Sequence, residues 1–164
     1  MEQASVTIEE HIAKLEKSLM SGRGRWIADF NESHKNFKLN DIEFDVLIEG
    51  NTRMKGFLLS RLFSFLLNPN YSVSCFVLST KSVRKLDQSF LKKVLAAIRS
   101  YMKKKEIKWS WLFIFSTEKT QPLKSIVEKI DDQTIGVVLI DVNSKEMVHS
   151  NSYLGKQGKR FVKI

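Results

Sequence analysis

Three long apolar runs constrain the fold of this chain more than any other feature. They cover residues 72–80, 108–117 and 134–142, and their apolar side chains stand on consecutive positions rather than alternate ones. A strand with this pattern is buried on both faces, which is typical of a sheet that helices cover on two sides. Segments with helical spacing separate the runs, so the sequence predicts an α/β fold.

The helices are predicted from their caps and their apolar spacing. Thr7 followed three residues later by Glu10 is a capping-box pattern, and Asp87 is a second candidate N-cap. Apolar side chains recur at helical spacing after both caps. The predicted helices run from Thr7 to Met20, from Met54 to Leu67 as a buried segment, from the cap at Asp87, and from Pro122 as a short helix.

The segment NDIEFDVLIEG (Asn40 to Gly50) alternates apolar and acidic side chains. Alternate side chains of an extended chain point to opposite faces, so the apolar set is predicted to share one face and the carboxylates the other. Such carboxylates are either solvated surface groups or ligands for a cation beside a substrate, and the sequence leaves both open. The apolar set is Ile42, Phe44, Val46 and Ile48, and the acidic set is Glu43, Asp45 and Glu49.

Together these elements predict one α/β domain over residues 1–164. Its centre is a largely parallel but mixed sheet of about five strands, with helices on both faces. Trp26 to Phe30 is predicted as a strand followed by a turn, and residues 143–150 as a hairpin partner of the last apolar run. The basic segment at about 150–164 is predicted to be a tail with little core of its own.

The composition excludes several kinds of site. Cys75 is the only cysteine, so the chain has no internal disulfide and no thiolate-rich zinc centre, and burial in its apolar run argues against a nucleophilic role. The three histidines lack metal-ligand spacing, and glycine-rich phosphate loops and nucleophile elbows are absent from the sequence. An acidic, polar N-terminus and the lack of a long apolar segment predict a cytoplasmic protein with no membrane partner.

A net charge of +9 predicts an anionic partner. Small basic proteins bind nucleic acid through the phosphates of its backbone, so nucleic acid, with DNA favoured, is the predicted partner. The residues predicted to form one binding face are Arg84, Lys85, Lys92, Lys93, Lys156, Lys159 and Arg160.

From Thr7 to Asp141 the chain resembles the PD-(D/E)XK, or restriction-endonuclease-like, superfamily. The resemblance rests on IEFDVLI, on CFVLSTK and on the closing pattern WLFIFS…IVEKIDDQTIGVVLID. It implies a leading helix, a strand whose Asp binds a divalent cation, and a following strand that ends in Glu-x-Lys. Asp45 then matches the metal-binding Asp and Lys81 the lysine, with Mg²⁺ as the implied cofactor.

Two features depart from the family pattern. Ser79 stands where the Glu of Glu-x-Lys is expected, and a predicted helix separates the two strands. Cleavage then requires a substitute carboxylate, for which Glu43, Glu10 and Glu16 are the candidates. The resemblance therefore implies a nucleic-acid-binding protein with weak or absent metal-dependent nuclease activity.

The alternative is a Rossmann-like or receiver-like signalling or protein-interaction module. Such a module carries its function at the carboxyl ends of the strands. Strand direction separates the two, because a nuclease-like sheet needs the strands of Asp45 and Lys81 as antiparallel neighbours and a doubly wound sheet needs them parallel. The strand-end residues of the alternative are Glu49, Ser79, Thr80, Ser116, Thr117 and Asp141.

Overall fold

The computed structural model of the chain describes residues 7–22, 28–52, 71–83, 85–118 and 120–163. Within these ranges one six-stranded sheet and four helices form the fold. The strands are β1 (Asp29–Leu39), β2 (Ile42–Asn51), β3 (Ser72–Ser79), β4 (Ile107–Ser116), β5 (Ile135–Asp141) and β6 (Glu146–His149). The helices are α1 (Ile8–Met20), α2 (Gln88–Lys105), α3 (Gln121–Lys129) and α4 (Tyr153–Phe161).

The strands lie in the order β1-β2-β3-β4-β5-β6, and their directions are mixed. β3 pairs with β4 and β4 with β5 in parallel, whereas the other three pairs are antiparallel. The predicted α/β class and the mixed sheet are therefore confirmed. The sheet has six strands rather than about five, and it is not largely parallel, because only two of its five strand pairs are parallel. Because β2 and β3 are antiparallel, the sheet differs from the doubly wound alternative.

The sheet separates two apolar cores, and helices cover both faces as predicted. α2 and α3 bury side chains such as Ile98 and Val127 on one face. α1 and α4 bury side chains such as Leu15 and Phe161 on the other face. No helix in the described part of the chain is long and apolar enough to cross a membrane.

The predicted helix starts are confirmed where the structure describes them. The Thr7 hydroxyl accepts a hydrogen bond from the backbone N–H of Glu10, whose carboxylate accepts from the N–H of Thr7. The Asp87 carboxylate accepts from the N–H of Phe90 at 2.9 Å. α3 begins one residue before Pro122, as a proline with a preset φ favours. The predicted helix at residues 54–67 lies outside the described residues.

The first strand differs from its prediction. It runs from Asp29 to Leu39 rather than near Trp26 to Phe30, and residues 23–27 lie outside the described ranges. β1 is an edge strand, and most of its side chains are exposed, so its sequence lacks the apolar alternation of a half-buried strand. Asn40 in a left-handed conformation (φ 56°) closes the tight turn into β2.

The apolar face of β2 is divided at Asp45. Ile42 and Phe44 lie in the core under α2 and α3, whereas Val46 lies in the core under α1 and α4. The predicted single face shared by these residues is therefore wrong. On β1 the opposite position is Asn36, which adopts a left-handed φ of 52°, so the alternation of both strands reverses at one point of the hairpin.

The basic C-terminal segment is a packed helix rather than a tail. The Ser152 hydroxyl caps α4, and Leu154 and Phe161 are buried against the sheet. The Trp111 indole donates a hydrogen bond to the backbone carbonyl of Leu154 at 2.9 Å. The helix approaches so closely at Gly158 that an added Cβ would lie 2.8 Å from the Trp111 ring. The glycines of this segment therefore serve packing.

Candidate functional site around Asp45

The structure gives Asp45 hydrogen bonds on one carboxylate oxygen but not on the other, among the described residues. Its Oδ1 accepts hydrogen bonds from the hydroxyls of Ser79, at 3.2 Å, and Ser82, at 3.0 Å. Its Oδ2 is buried and has no hydrogen-bond partner among the described residues. Burial of a carboxylate oxygen without a donor costs free energy, and such groups concentrate at functional sites. Asp45 is therefore the strongest candidate functional residue in the described part of the chain.

The strand pairing brings these groups together. Ser79 is the last residue of β3, and it faces the same side as Val77, which packs in the core under α1 and α4. The turn that follows is closed by a hydrogen bond from the N–H of Ser82 to the carbonyl of Ser79 at 3.1 Å. Asp45 therefore accepts one hydrogen bond from the end of β3, through Ser79, and one from the turn that follows it, through Ser82.

Lys81 lies between these two serines and contacts α1. Its ammonium forms an ion pair with the carboxylate of Glu9 in the first turn of α1, and both side chains are more than half exposed. This hydrogen bond lowers the pKa of Glu9. α1 covers the sheet face on which Ser79 lies, so Glu9 joins Lys81, Ser79 and Asp45 at one end of that face.

Sequence reasoning missed Glu9, and the three carboxylates it proposed are engaged elsewhere. Glu10 completes the capping box of α1. Glu16 accepts a hydrogen bond from Ser33 at 2.6 Å, which joins α1 to β1. Glu43 pairs with Lys38 across the hairpin at 3.9 Å. Only the packing of α1 on the sheet determines which of its carboxylates reaches the turn after β3, and no local pattern records that.

The side chains at this site do not fit a Mg²⁺ centre whose ligands include two carboxylates. Mg²⁺ binds through one or two well-placed carboxylates and keeps several waters. Asp45 has one carboxylate oxygen without a partner, and the Ser79 hydroxyl that occupies the expected Glu position donates to the other oxygen. Glu9 pairs with an ammonium. The described residues therefore supply one free anionic oxygen and hydroxyl groups at this site.

The strand-end residues that a Rossmann-like or receiver-like module would use mostly form the hydrogen bonds that close turns. The N–H of Thr117 donates to the Thr80 hydroxyl at 3.3 Å, and Asp141 accepts from the N–H of Asn143 at 2.9 Å. The N–H that follows β5 donates to the carbonyl of Ser116 at 2.9 Å. Glu49 pairs with Ser74 in β3 and lies toward the opposite end of the sheet. These contacts explain the residues structurally, without a ligand.

Six of the seven basic residues predicted to form one nucleic-acid face are described in the structure, and these six do not lie together. One group belongs to α2 and the segment before it, the other belongs to α4, and these helices pack on opposite faces of the sheet. Two members also have acidic partners, because Lys93 pairs with Asp41 and Lys85 with Asp87. The single face is therefore wrong. The first group is Lys85, Lys92 and Lys93, the second is Lys156, Lys159 and Arg160, and Arg84 lies outside the described residues.

A second cluster of ligand-type side chains lies on the other face of the hairpin. The Nε2 atom of His34 is 3.7 Å from a carboxylate oxygen of Glu32 and 3.7 Å from one of Glu49. Tyr101 of α2 donates a hydrogen bond to Glu49 at 2.9 Å, and burial followed by this carboxylate raises the pKa of Tyr101. Glu32 and His34 are exposed, and exposed acidic groups of this kind are common without a cation, so the cluster by itself does not indicate a metal site.

The remaining nucleophile candidate is excluded by its position. Cys75 is buried in β3, and burial raises the pKa of its thiol well above the usual range. A buried thiol of this kind is unreactive. The cysteine is therefore part of the core, as its apolar surroundings in the sequence predict.

No protein-family model matches the chain, and neither curated protein sequences nor solved structures give a match. The fold and the site define the class of protein. It is an α/β protein with a mixed six-stranded sheet, and its candidate site surrounds Asp45, a carboxylate with hydrogen bonds to only one of its oxygens among the described residues.

Proposed function

We propose that the protein binds DNA, and that Asp45 belongs to a restriction-endonuclease-like site with little or no nuclease activity. The observation that supports this most directly is the hydrogen bond between Asp45 and Ser79 across antiparallel β2 and β3. The order of elements agrees with the resemblance, since a leading helix precedes three antiparallel strands, a helix and a strand parallel to the third.

The chemistry of the site supports the proposed lack of cleavage. A metal-dependent nuclease uses carboxylates from two strands to hold the cation that activates water. Here the second carboxylate is replaced by the Ser79 hydroxyl, and Lys81 is paired with Glu9. Binding depends on basic side chains rather than on this carboxylate pair, so it is retained.

Binding is tested with labelled duplex DNA, single-stranded DNA and RNA over a range of salt concentrations. We expect the logarithm of affinity to fall linearly with the logarithm of salt concentration, by about 0.9 for each phosphate contact on duplex DNA. Affinity that stays flat from about 0.05 to 0.2 M salt, or no affinity at all, would reject the proposal, because phosphate contacts release counterions.

Cleavage is tested on plasmid and branched DNA with Mg²⁺ or Mn²⁺. We expect almost no product from the unchanged protein and a measurable gain from Ser79→Glu, which restores a carboxylate beside Asp45. Ser79→Gln is the matched control, since it has the same shape without the charge, and thermal unfolding verifies that both variants fold. Strong cleavage by the unchanged protein that disappears in Asp45→Ala would show an active nuclease instead.

A further inference from the structure

A groove of about 300 Å³ lies between α1 and the C-terminal end of α4. Its apolar lining consists of Leu15, Phe161 and Val162, all of which are buried in the core under these two helices. The groove belongs to the same sheet face as Ser79, which contacts Asp45. The groove therefore lies on the helices α1 and α4 that cover this face, and α1 also contains Glu9.

Among the described residues, all charged side chains that line the groove are basic. Lys14, Lys17 and Lys163 are exposed, and none of them forms an ion pair with a described residue. Lys17 in the last turn of α1 also complements the helix dipole, but Lys14 and Lys163 have no such structural explanation. Three ammonium groups without an ion-pair partner in the described part of the chain surround an apolar floor, and this combination fits an anionic polymer that has apolar units between its charges.

His11 lines the same groove beside Lys14. Its ring is half-buried in the groove and stacks on Phe115, with 6.5 Å between the ring centroids. Burial lowers its pKa most, and the charges of Lys14 and Lys145 lower it further against the opposing effect of Glu10. Cationic surroundings of this kind attract phosphate groups.

The groove and the Lys81–Glu9 ion pair share helix α1. Glu9 is in the first turn of α1, and Lys14 and Lys17 follow it along the same helix. At a rise of about 1.5 Å per residue these lysines lie roughly 7 and 12 Å along the axis from Glu9. A nucleic-acid strand covers that distance within a few nucleotides, because successive phosphates are about 3.4 Å apart along a duplex axis.

We propose that this groove binds the sugar–phosphate backbone of the DNA strand that reaches Asp45. The lysines contact successive phosphates, and the floor of Leu15 and Val162 contacts the sugars. This assignment rests on the proposed DNA binding, and it identifies the surface at which the DNA binds. It replaces the dispersed set of basic residues from the sequence with one surface, formed by Lys14, Lys17, Lys163 and His11.

The test compares two triple variants with the same change in charge. The groove variant is Lys14→Gln, Lys17→Gln, Lys163→Gln. The control is Lys92→Gln, Lys103→Gln, Lys104→Gln, which changes three exposed lysines of α2 on the opposite sheet face. The groove set contains one lysine of a last helical turn, Lys17, and the control set contains two, Lys103 and Lys104, so the control loses at least as much helix-dipole stabilisation.

We expect the groove variant to weaken DNA binding by at least about tenfold at 0.1 M salt. We also expect the slope of log affinity against log salt concentration to become shallower by about two to three. The control variant is expected to change both quantities much less. Equal losses in the two variants, or a larger loss in the control, would overturn the groove assignment while DNA binding itself stands. Absence of DNA binding by the unchanged protein would overturn the proposed function and the groove assignment together.

Discussion

At the scale of single residues, Asp45 carries a free-energy cost at one of its carboxylate oxygens. Two hydroxyls bond one of its oxygens, and the other oxygen is buried without a donor among the described residues. Natural proteins keep such costs where function requires them, so substitution at functional residues often raises stability. Stability measurements can therefore separate a functional Asp45 from a structural one.

Asp45→Asn is expected to leave the free energy of unfolding unchanged or to raise it by up to about 1 kcal/mol, because a neutral amide costs less to bury and its oxygen still accepts from both serines. Asp45→Ala leaves both hydroxyls without an acceptor and is expected to lose about 1–2 kcal/mol. Urea unfolding near neutral pH measures both. A loss above about 2 kcal/mol in Asp45→Asn would indicate a structural residue instead.

His11 makes stability depend on pH. Its pKa in the folded protein lies below the ordinary value of 6.5 because of burial first, then Lys14 and Lys145. The unfolded chain therefore binds a proton more readily, so this contribution to stability is complete above pH 6.5 and is lost as the pH falls through the folded pKa. We expect the unfolding free energy to decrease as the pH falls below 6.5, and His11→Gln to reduce that decrease. Chemical unfolding at a series of pH values tests this, and identical profiles would contradict it.

At the scale of elements, the helices with local signals were predictable and the edge strand was not. Thr7 and Asp87 cap their helices through side chains only three residues from the N–H groups they bind, so the sequence alone carries the signal. β1 has exposed side chains over most of its length, and its pairing with β2 defines it. The reversal at Asp45 depends on a left-handed Asn36, which apolar periodicity does not record.

The C-terminal helix was missed because its glycines resemble those of a loop. In the structure they allow α4 to touch the sheet, and at Gly158 an added Cβ would lie 2.8 Å from Trp111 and 2.9 Å from Val138. Gly usually destabilises a helix interior by about 1 kcal/mol relative to Ala. Here that ordinary preference is expected to reverse.

Gly158→Ala is expected to lower the free energy of unfolding by about 1–2 kcal/mol, since overpacking costs roughly 1–3 kcal/mol and offsets the gain in helix propensity. The control is Lys156→Ala, on the exposed side of the same helix, which changes propensity without a contact. Denaturant unfolding of both variants makes the comparison. A stabilised Gly158→Ala protein would contradict the close approach of α4 to Trp111.

At the scale of the whole molecule, the sheet decides which predicted site residues meet. Asp45 and Ser79 meet because their strands are antiparallel neighbours. The nuclease-like resemblance implied this arrangement, whereas the alternative required parallel strands. The basic residues were grouped by charge and sequence position alone, and the sequence does not say which sheet face a helix covers. α2 and α4 lie on opposite faces, so the surface with unpaired charge involves α1 instead.

The same architecture makes the C-terminal segment essential for folding. Leu154, Phe161 and Val162 are each almost fully buried, and burial of such side chains contributes roughly 1.5–3 kcal/mol apiece. Their joint loss approaches the net stability of a typical domain, about 5–15 kcal/mol. A chain that ends after residue 151 is therefore expected to lose its cooperative thermal transition and its near-ultraviolet circular dichroism. The control, Lys156→Gln with Lys159→Gln in the full chain, removes charge from α4 and is expected to keep both signals. A shortened chain that unfolds like the full protein would show that the C-terminal segment is a solvated tail, as the sequence predicted, because such a tail adds no core to the folded state.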